Sequence, residues 1–436
     1  MTRILGLLIW LATSLVAVAG VDIGAKSPTI DVLTVKGVIN PVVASYIGRG
    51  IGLAESQGDV AVVIQLDTPG GLDSSMRDIV QRMLNSSVPV IVYVSPAGAR
   101  SASAGVFITM AGHVAAMAPN TNIGAAHPVA IGSTGGVTEV PSTMEEKVLN
   151  DAVAYIKSIA EERGRNAEWA ERAVRESVSI TEQEALRLNV IDLVAPDLPA
   201  LLHNLHGHQV TMLGGRQVTL ETEGAGVRFL NMGTIERFLL AISDPNIAYI
   251  LLSLAMLGIF FELANPGAIF PGVIGGISLF LALYSLGMLP VNIAGVLLIA
   301  LAFVLFLLEI FVTSHGMLAI GGITSLTIGS LILFSGRSPL YRVDPWLIGV
   351  VVTIVTGFFV FVVAAVVRAQ KRRAVTGSEG MLGMVAVART PLDPTGTVFL
   401  QGETWSATAE GEPVEPGQEV IVTRVEGLKL WVTRKK

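Results

Sequence analysis

The sequence predicts three regions of different fold class: an α/β domain, a helical membrane domain, and a small all-β domain. Three observations lead to this prediction. β-type runs alternate with helical ones from Val21 to about Leu202, which favours a mostly parallel sheet covered by helices. Five apolar stretches follow, up to residue 367, each near the ~20 residues that a bilayer core requires. Residues 374–436 contain short strands separated by Gly and Pro turns.

Composition supports this division and excludes several classes of protein. Of 436 residues, 51% are hydrophobic and 15% charged, which is too apolar for an ordinary soluble protein and too long for one domain. There is no cysteine, so disulfides, thiol chemistry and cysteine-bound zinc are excluded. The net charge of −6 gives no reason to expect a nucleic-acid partner. We expect no cofactor and no metal.

Residues 1–20 read as a secretory signal peptide. Arg3 supplies the positive start, an apolar run follows from Ile4, and Ala17-Val18-Ala19 fits a small-x-small cleavage site before Gly20. The alternative is a retained N-terminal anchor. In both cases the region that follows is exported.

Residues 21–202 form the predicted α/β domain. Its strand-like runs are DVLTVKGVI, VAVVIQL, VPVIVYV, HVAAMA and NVIDLVA. Its predicted helices are Pro41–Ser56, Ser74–Leu84, Glu145–Arg163, Ala167–Glu176, and a short helix that Thr181 caps.

Two strand-to-turn junctions carry the candidate chemistry. Asp67-Thr-Pro-Gly-Gly71 follows VAVVIQL directly, and the next strand is followed by a small-residue helix start that carries Ser103. Junctions of this kind can bring backbone N–H groups and a hydroxyl to one sheet edge, which an acyl-transfer enzyme needs. Each piece alone is also typical of a plain turn or of close packing.

Four segments together resemble the Clp-protease/crotonase superfold and, more closely, the NfeD-type membrane serine proteases encoded beside stomatin-like proteins. They are DTPGG (67–71), ASAG (102–105), MAPNTNIGAAHP (117–128) and NDAVAYIKSIAEERGRNAEWAE (150–171). The resemblance implies that Ser103 is the nucleophile, that Lys147 is the general base, and that the backbone N–H groups of Gly70 and Gly71 bind the oxyanion.

A lysine base must be neutral, and burial in an apolar cleft lowers the pKa of an amine. The alternative from the residues alone is a solvated lysine at the start of a helix. A Ser-His-Asp triad is a second alternative, because His113 and His127 lie in the α/β domain. We interpret His113 as structural, since it leads into a strand. The carboxylates available to such a triad are Asp67, Asp73, Asp78 and Asp151.

The polar, Gly-rich loop from Val129 to Met144 is either a surface connector or a flap beside the site. Residues 203–245 are predicted as a connector with a hairpin around Leu213–Arg216 and an interfacial helix from Met232 to Ser243. Three histidines in this connector share no carboxylate at metal-ligand spacing, which favours solvated side chains over a metal site. They are His203, His206 and His208.

The membrane domain, residues 246–367, is predicted to hold five spans. We place them at 247–264, 268–289, 292–313, 316–335 and 346–367. An exported first domain and an odd number of spans put the C-terminus in the cytoplasm, as does the basic cluster after the last span: Arg368, Lys371, Arg372 and Arg373. Arg337 and Arg342 conflict mildly with this topology.

The membrane domain also contains an internal repeat. Ile274-Gly-Gly-Ile-Ser recurs as Ile320-Gly-Gly-Ile-Thr, and the paired glycines permit close helix packing. Glu262 and Glu309 each precede a Gly-containing break. Capping or snorkelling is the favoured interpretation of these carboxylates, and a transport role is the alternative.

Residues 374–436 are predicted as a five-stranded OB-like barrel, which resembles the C-terminal domain of the same family. OB folds often bind nucleic acid, but acidic residues argue against that here: Glu410, Glu412, Glu415 and Glu419. A protein-interaction role is favoured, and the family suggests a stomatin-like partner.

Two hypotheses follow for the whole chain. The first is a membrane-anchored serine endopeptidase, a homo-oligomer in a bacterial or archaeal cell membrane, that cleaves apolar segments of membrane-associated proteins through a Ser-Lys dyad. The second is a non-catalytic scaffold that organises stomatin-like proteins. A crotonase-type acyl-CoA enzyme is a weaker third reading, because its acidic catalytic groups have no clear place here.

Overall fold

The computed structural model describes residues 28–129, 142–265, 267, 269–289, 291–312, 314, 316–334, 342–370 and 378–435. The predicted signal peptide, most of the predicted flap, and Lys371–Arg373 lie outside the described residues. The chain divides into two compact units. The first holds the α/β domain and the helical region up to residue 307, with residues 320–352. The second holds residues 308–319 and the chain from residue 353 onward.

The α/β domain contains eleven strands among the described residues. They are β1 (Thr29–Lys36), β2 (Ala61–Asp67), β3 (Val90–Val94), β4 (Arg100–Ala102), β5 (Val114–Met117), β6 (Asn122–Gly124), β7 (Ser179–Thr181), β8 (Leu193–Val194), β9 (Gln209–Thr211), β10 (Gln217–Thr219) and β11 (Gly226–Leu230). Six of them form one parallel sheet in the order β11-β1-β2-β3-β5-β8. A three-stranded sheet, β4-β6-β7, joins the carboxyl end of β2 through a bridge between Thr68 and Ser101, and β9 and β10 form the predicted hairpin.

Helices cover the sheet, and the predicted alternation of strands and helices is confirmed. They are α1 (Pro41–Gln57), α2 (Asp73–Leu84), α3 (Ala104–Ala111), α4 (Ser142–Glu162), α5 (Ala167–Arg175), α6 (Glu182–Arg187), α7 (Leu198–Leu205) and α8 (Thr234–Ile242). The strands are apolar on both faces because both faces are covered: β3, for example, is buried at all five positions. The larger core lies between the sheet and α1–α6, and a second core lies under α7 and the hairpin.

The sheet reaches into the segment that was predicted as a connector. β11 pairs in parallel with β1, from Thr29 opposite Gly226 to Leu33 opposite Leu230. On this edge strand, the guanidinium of Arg228 bonds the fully buried Asp31 and also Asp59, each at 2.7 Å. Sequence alternation alone does not reveal this strand, because its register depends on a charge pair between residues far apart in the chain.

Among the described residues, the helical region contains five apolar helices, at the five predicted positions. They are α9 (Pro245–Ala264), α10 (Ile269–Met288), α11 (Ile293–Phe311), α12 (Met317–Ile332) and α13 (Pro345–Gln370). By length and composition, α9, α10 and α11 are able to cross a membrane. The apolar segments in α12 and α13 are shorter, over Met317–Ile332 and Pro345–Phe361.

Glycines allow the close packing that the repeat predicted. A Cβ on Gly258 of α9 would lie 2.7 Å from the Cα of Gly275 on α10. After α11, Glu309 accepts hydrogen bonds from the backbone N–H groups of Gly316 (2.9 Å) and Ala319 (3.1 Å), and from the Ser314 hydroxyl. This carboxylate therefore caps α12, in agreement with the favoured interpretation.

The C-terminal region is a closed five-stranded barrel. Its strands are β12 (Val385–Ala388), β13 (Thr395–Leu400), β14 (Glu403–Ala409), β15 (Glu419–Glu426) and β16 (Lys429–Arg434). They close in the order β12-β13-β14-β16-β15, with β14 and β16 parallel. Small and branched residues fill the interior, which confirms the predicted small β-barrel.

Candidate active site

Ser103 lies at a sharp turn between β4 and α3, with no loop between the two elements. Its backbone has φ 53° and ψ −113°, a conformation that non-glycine residues rarely adopt. The Ser103 N–H donates to Gly124 O (3.1 Å), and Ser103 O accepts from the Val106 N–H (3.0 Å). The hydroxyl caps nothing on the helix and makes no hydrogen bond with a described residue. Strained backbone and a free, half-exposed hydroxyl mark this serine as a candidate functional residue.

The turn after β2 lies directly against Ser103. Thr68 N donates to Arg100 O (2.8 Å) and Ala102 N donates to Thr68 O (3.1 Å), so the turn is paired with β4. A Cβ on Gly70, whose φ is +118°, would lie 2.7 Å from Ser103 Cβ and 3.1 Å from Ser103 Oγ. The structure therefore brings these two predicted site residues together, and only glycine fits at position 70.

The segment after β1 holds the same turn from its other side. Ile39 N donates to Gly70 O and Leu72 N donates to Ile39 O, both at 2.9 Å. A Cβ on Gly71 would lie 2.0 Å from Ile39 O, so this position also requires glycine. The two glycines are thus fixed by backbone contacts, as a preorganised donor site requires.

The N–H groups at this edge differ in their availability. The Gly70 N–H donates to Thr68 Oγ1 (3.0 Å), whereas the Gly71 N–H makes no hydrogen bond with any residue that the structure describes. α3 begins at Ala104; in its first turn the Val106 N–H donates to Ser103 O, whereas the N–H groups of Ala104 and Gly105 make no hydrogen bond with a described residue. Anions bind favourably at such a helix terminus. Sequence reasoning did not include these helix N–H groups among the site residues, although the helix start after Ser103 was recognisable.

Lys147 lies in the first third of α4 and is exposed. No hydrogen bond or ion pair joins it to Ser103 or to another described residue. Two contacts anchor its helix: Arg77 of α2 pairs with Asp151, and Tyr155 stacks on Phe107 of α3 with ring centroids 6.0 Å apart. α4 is therefore fixed against the helix that Ser103 begins, while residues 143–148 at its start are exposed.

Family models match three parts of the chain. Residues 29–198 match the N-terminal domain of NfeD1b, 246–365 match the NfeD integral membrane domain, and 378–434 match the NfeD-like C-terminal, partner-binding domain. The membrane-bound protease PH1510 of Pyrococcus horikoshii is 37% identical over 414 residues, which are 93% of each chain. The chain belongs to the NfeD family. Membrane protein NfeD1b of Bacillus subtilis is 28% identical over 440 residues, or 96% of each chain.

Solved structures of related proteins cover single domains of this NfeD protein. One is the 1510-N membrane protease specific for a stomatin homolog, from Pyrococcus horikoshii, with 38% identity, 50% of this chain, 99% of that chain and a TM-score of 0.43. Another is a lysine-to-alanine variant of 1510-N with a substrate peptide, with 38% identity, 50% and 98% coverage and a TM-score of 0.46. The C-terminal domain of stomatin operon partner protein 1510-C is 34% identical and covers 14% of this chain and 97% of that chain, with a TM-score of 0.14.

Neither histidine of the NfeD α/β domain contacts Ser103 through a hydrogen bond. His113 is buried, its Nδ1 accepts from Val90 N (3.1 Å), and burial lowers its pKa to about 3, with Arg163 and Arg165 lowering it further. It is neutral and structural, as its position before a strand predicted. His127 is exposed, and its Nδ1 lies 2.9 Å from Val174 O.

Proposed function

We propose that this NfeD protein is a membrane-anchored serine endopeptidase with Ser103 as its nucleophile. The observation that carries the proposal is the conformation of Ser103: a non-glycine residue at φ 53°, with its hydroxyl free, beside a glycine turn. Such backbone strain costs about 1–3 kcal/mol and persists where a site needs it. A serine kept only for packing would not need this conformation.

The proposed reaction begins when Ser103 Oγ attacks the carbonyl carbon of a peptide bond. A C–O bond forms, and the hydroxyl proton passes to a neutral amine. The negative oxygen of the tetrahedral intermediate accepts hydrogen bonds from the Gly71 N–H, from the first turn of α3, and from Gly70 if its N–H leaves Thr68. The intermediate then collapses: the peptide C–N bond breaks as the leaving amine takes the proton from the ammonium. Water hydrolyses the acyl-enzyme, which breaks the C–O bond to Ser103 and returns a proton to its hydroxyl.

Lys147 is the proposed general base, and its side chain is exposed beside an apolar face of α4. Met144 and Val148, at helical spacing around Lys147, are 54% and 39% exposed. A bound substrate or a second copy of the chain has to cover this apolar face before the amine is desolvated enough to be neutral. We therefore propose a homo-oligomer, and a site that becomes competent when an apolar segment binds.

The proposed substrates are apolar segments of membrane-associated proteins, with a stomatin-like protein as one of them. Three findings support this class: the name of the 37% identical relative, the stomatin specificity named for 1510-N, and the match of residues 378–434 to a partner-binding domain. The barrel, with its strand order and its parallel β14–β16 pair, is proposed to be OB-like and to hold the partner.

We also propose five membrane spans, formed by α9–α13, with the α/β domain outside the cytoplasm and the barrel inside. The five apolar helices and the basic residues after the last span support this topology. A non-catalytic scaffold for stomatin-like proteins is the alternative function. The free hydroxyl of Ser103 favours the enzyme, because a scaffold has no use for it.

The test compares Ser103→Ala with Ser101→Ala in the full-length protein, incubated with a library of apolar peptides. Ser101 is buried two residues away and its hydroxyl bonds Thr109 (2.8 Å), so its loss lowers stability without touching the reaction. We expect Ser103→Ala alone to abolish cleavage and covalent labelling by a fluorophosphonate. Wild-type cleavage by Ser103→Ala would favour the scaffold.

A further inference from the structure

We propose that α8 is an interfacial helix whose exposed apolar side lies in the lipid headgroup region and holds the edge of the α/β domain that carries Ser103 toward the bilayer. This proposal concerns the membrane surface as a binding partner. It does not depend on whether the protein cleaves peptides.

α8 carries an apolar stripe that is covered at one end only. Ile235, Phe238 and Ile242 follow at helical spacing of three and four residues, so they share one side of the helix. Their exposed fractions are 74%, 50% and 5%. Exposure therefore falls step by step toward the C-terminal end of α8, where the helix contacts α9 and α10 of the membrane region.

The position of α8 in the chain identifies lipid as the partner. α8 ends at Ile242 and α9, a candidate membrane span, begins at Pro245, with Asp244 capping α9 through Asn246 N (2.8 Å). With two residues between the helices, α8 lies at the level where the span leaves the bilayer. A short helix there with bulky apolar side chains outward is typical of an interfacial segment.

The α/β domain lies against another side of α8, the one that carries Glu236. Glu236 accepts from Arg49 of α1 at 2.7 and 2.8 Å and from Gly233 N at 2.7 Å. Upstream, the Tyr46 hydroxyl of α1 donates to Leu230 O. Because the Glu236 side of α8 is held by α1, the apolar side with Ile235 and Phe238 stays outward.

The edge of the sheet that carries Ser103 lies at the same level. A cavity of ≈ 310 Å³ lies between three elements. It is lined by Gly37 and Asn40 of the loop between β1 and α1, by Asp244 and Pro245 at the start of α9, and by Met288 at the end of α10. The loop between β1 and α1 thus meets the start of α9 and the end of α10. The same loop holds the Gly70-Gly71 turn through Ile39. Hence the turn that contacts Ser103 lies at the membrane-facing edge of the sheet.

The absence of cysteine allows a direct test in the full-length protein. Single variants Ile235→Cys and Phe238→Cys carry an environment-sensitive fluorophore, in phosphatidylethanolamine–phosphatidylglycerol vesicles with or without nitroxide-labelled lipid. Arg237→Cys is the matched control, because Arg237 is exposed on α8 nearly opposite Ile235. All three side chains are exposed, so the substitutions disturb little packing.

We expect lipid nitroxide to quench the fluorophore several-fold more strongly at 235 and 238 than at 237, and aqueous iodide to show the reverse order. Equal iodide quenching at all three positions would overturn the proposal. Fluorescence shifted to the blue at 235 and 238 without lipid quenching would also overturn it, because a protein surface would then cover the stripe. None of these readouts requires peptidase activity, so failure here is distinct from failure of the proposed function.

Discussion

The contact between Gly70 and Ser103 gives the sharpest prediction about catalysis. Replacing Gly70 with alanine adds a methyl group at 2.7 Å from Ser103 Cβ. Ordinary van der Waals contact begins at about 3.4 Å, so the serine or the turn has to move by roughly 0.7 Å. The φ of +118° adds backbone strain of about 1–3 kcal/mol.

The expected loss of activity follows from this displacement. A misplacement of about 1 Å in an active site can cost on the order of 100-fold in rate. We therefore expect Gly70→Ala to lower kcat/KM by roughly 100-fold, mainly through kcat, because the proposed nucleophile and the proposed oxyanion donors shift relative to each other.

Gly37→Ala is the matched control. Gly37 has a similar φ of +107° at the same edge of the sheet, but a Cβ there meets nothing within 4 Å. It therefore carries the backbone strain without the contact. Activity of both variants is measured on one peptide in the full-length protein, with thermal unfolding measured in parallel. If the two variants lose activity equally, or if Gly70→Ala stays active, the reasoning about the serine's position is wrong.

Three further predictions concern the base, the acid stability and the helix packing. Lys147→Arg should abolish cleavage, because arginine stays protonated and cannot accept the serine proton. The control variant Lys157→Arg, on the same helix, keeps its pair with Glu171 and should stay active. An active Lys147→Arg enzyme would exclude the lysine base. The pKa of His113 is about 3 in the folded state and 6.5 ordinarily, so as the pH falls the unfolded state binds a proton before the folded state does. The free energy of unfolding should therefore fall by about 1.4 kcal/mol per pH unit from pH 6.5 toward pH 3. Hydrogen exchange of β3 against pH measures this slope, which His113→Asn should flatten. Gly258→Ala should lower the thermal stability of the membrane region in detergent, while Gly276→Ala, with open space around it, should not; equal melting curves would contradict the packing argument.

Local patterns were sufficient to predict most elements of the fold. Helix α1 follows from its periodic apolar residues and from Asn40, whose side chain accepts from Val43 N at 2.9 Å. The five apolar helices and the barrel strands follow from hydrophobic runs and turn residues in the same way. In each case the determinant lies within the segment itself.

The elements that were not predicted depend on distant residues. β11 is short and half exposed, and its place in the sheet depends on Arg228 reaching Asp31. The predicted strand NVIDLVA is reduced to Leu193–Val194, because the Asp192 side chain accepts from Ala115 N at 2.7 Å and pairs with Arg165 at 2.6 Å. At the site, the contact of Gly70 with Ser103 follows from the two junctions, whereas the exposure of Lys147 is a property of the folded chain that spacing does not contain.

The pairing of β1 with β11 determines where the α/β domain can be separated from the apolar helices that follow it. The sequence pattern predicts a domain boundary at residue 202. A cut there would remove β11 and take Arg228 away from Asp31 and Asp59. A buried carboxylate that loses its cation destabilises a fold by about 3–5 kcal/mol, a large part of the stability of a typical domain. A soluble fragment must therefore extend through Leu230, only a few residues before α8. The last strand of the α/β domain therefore leads directly, through α8, into the first candidate membrane span.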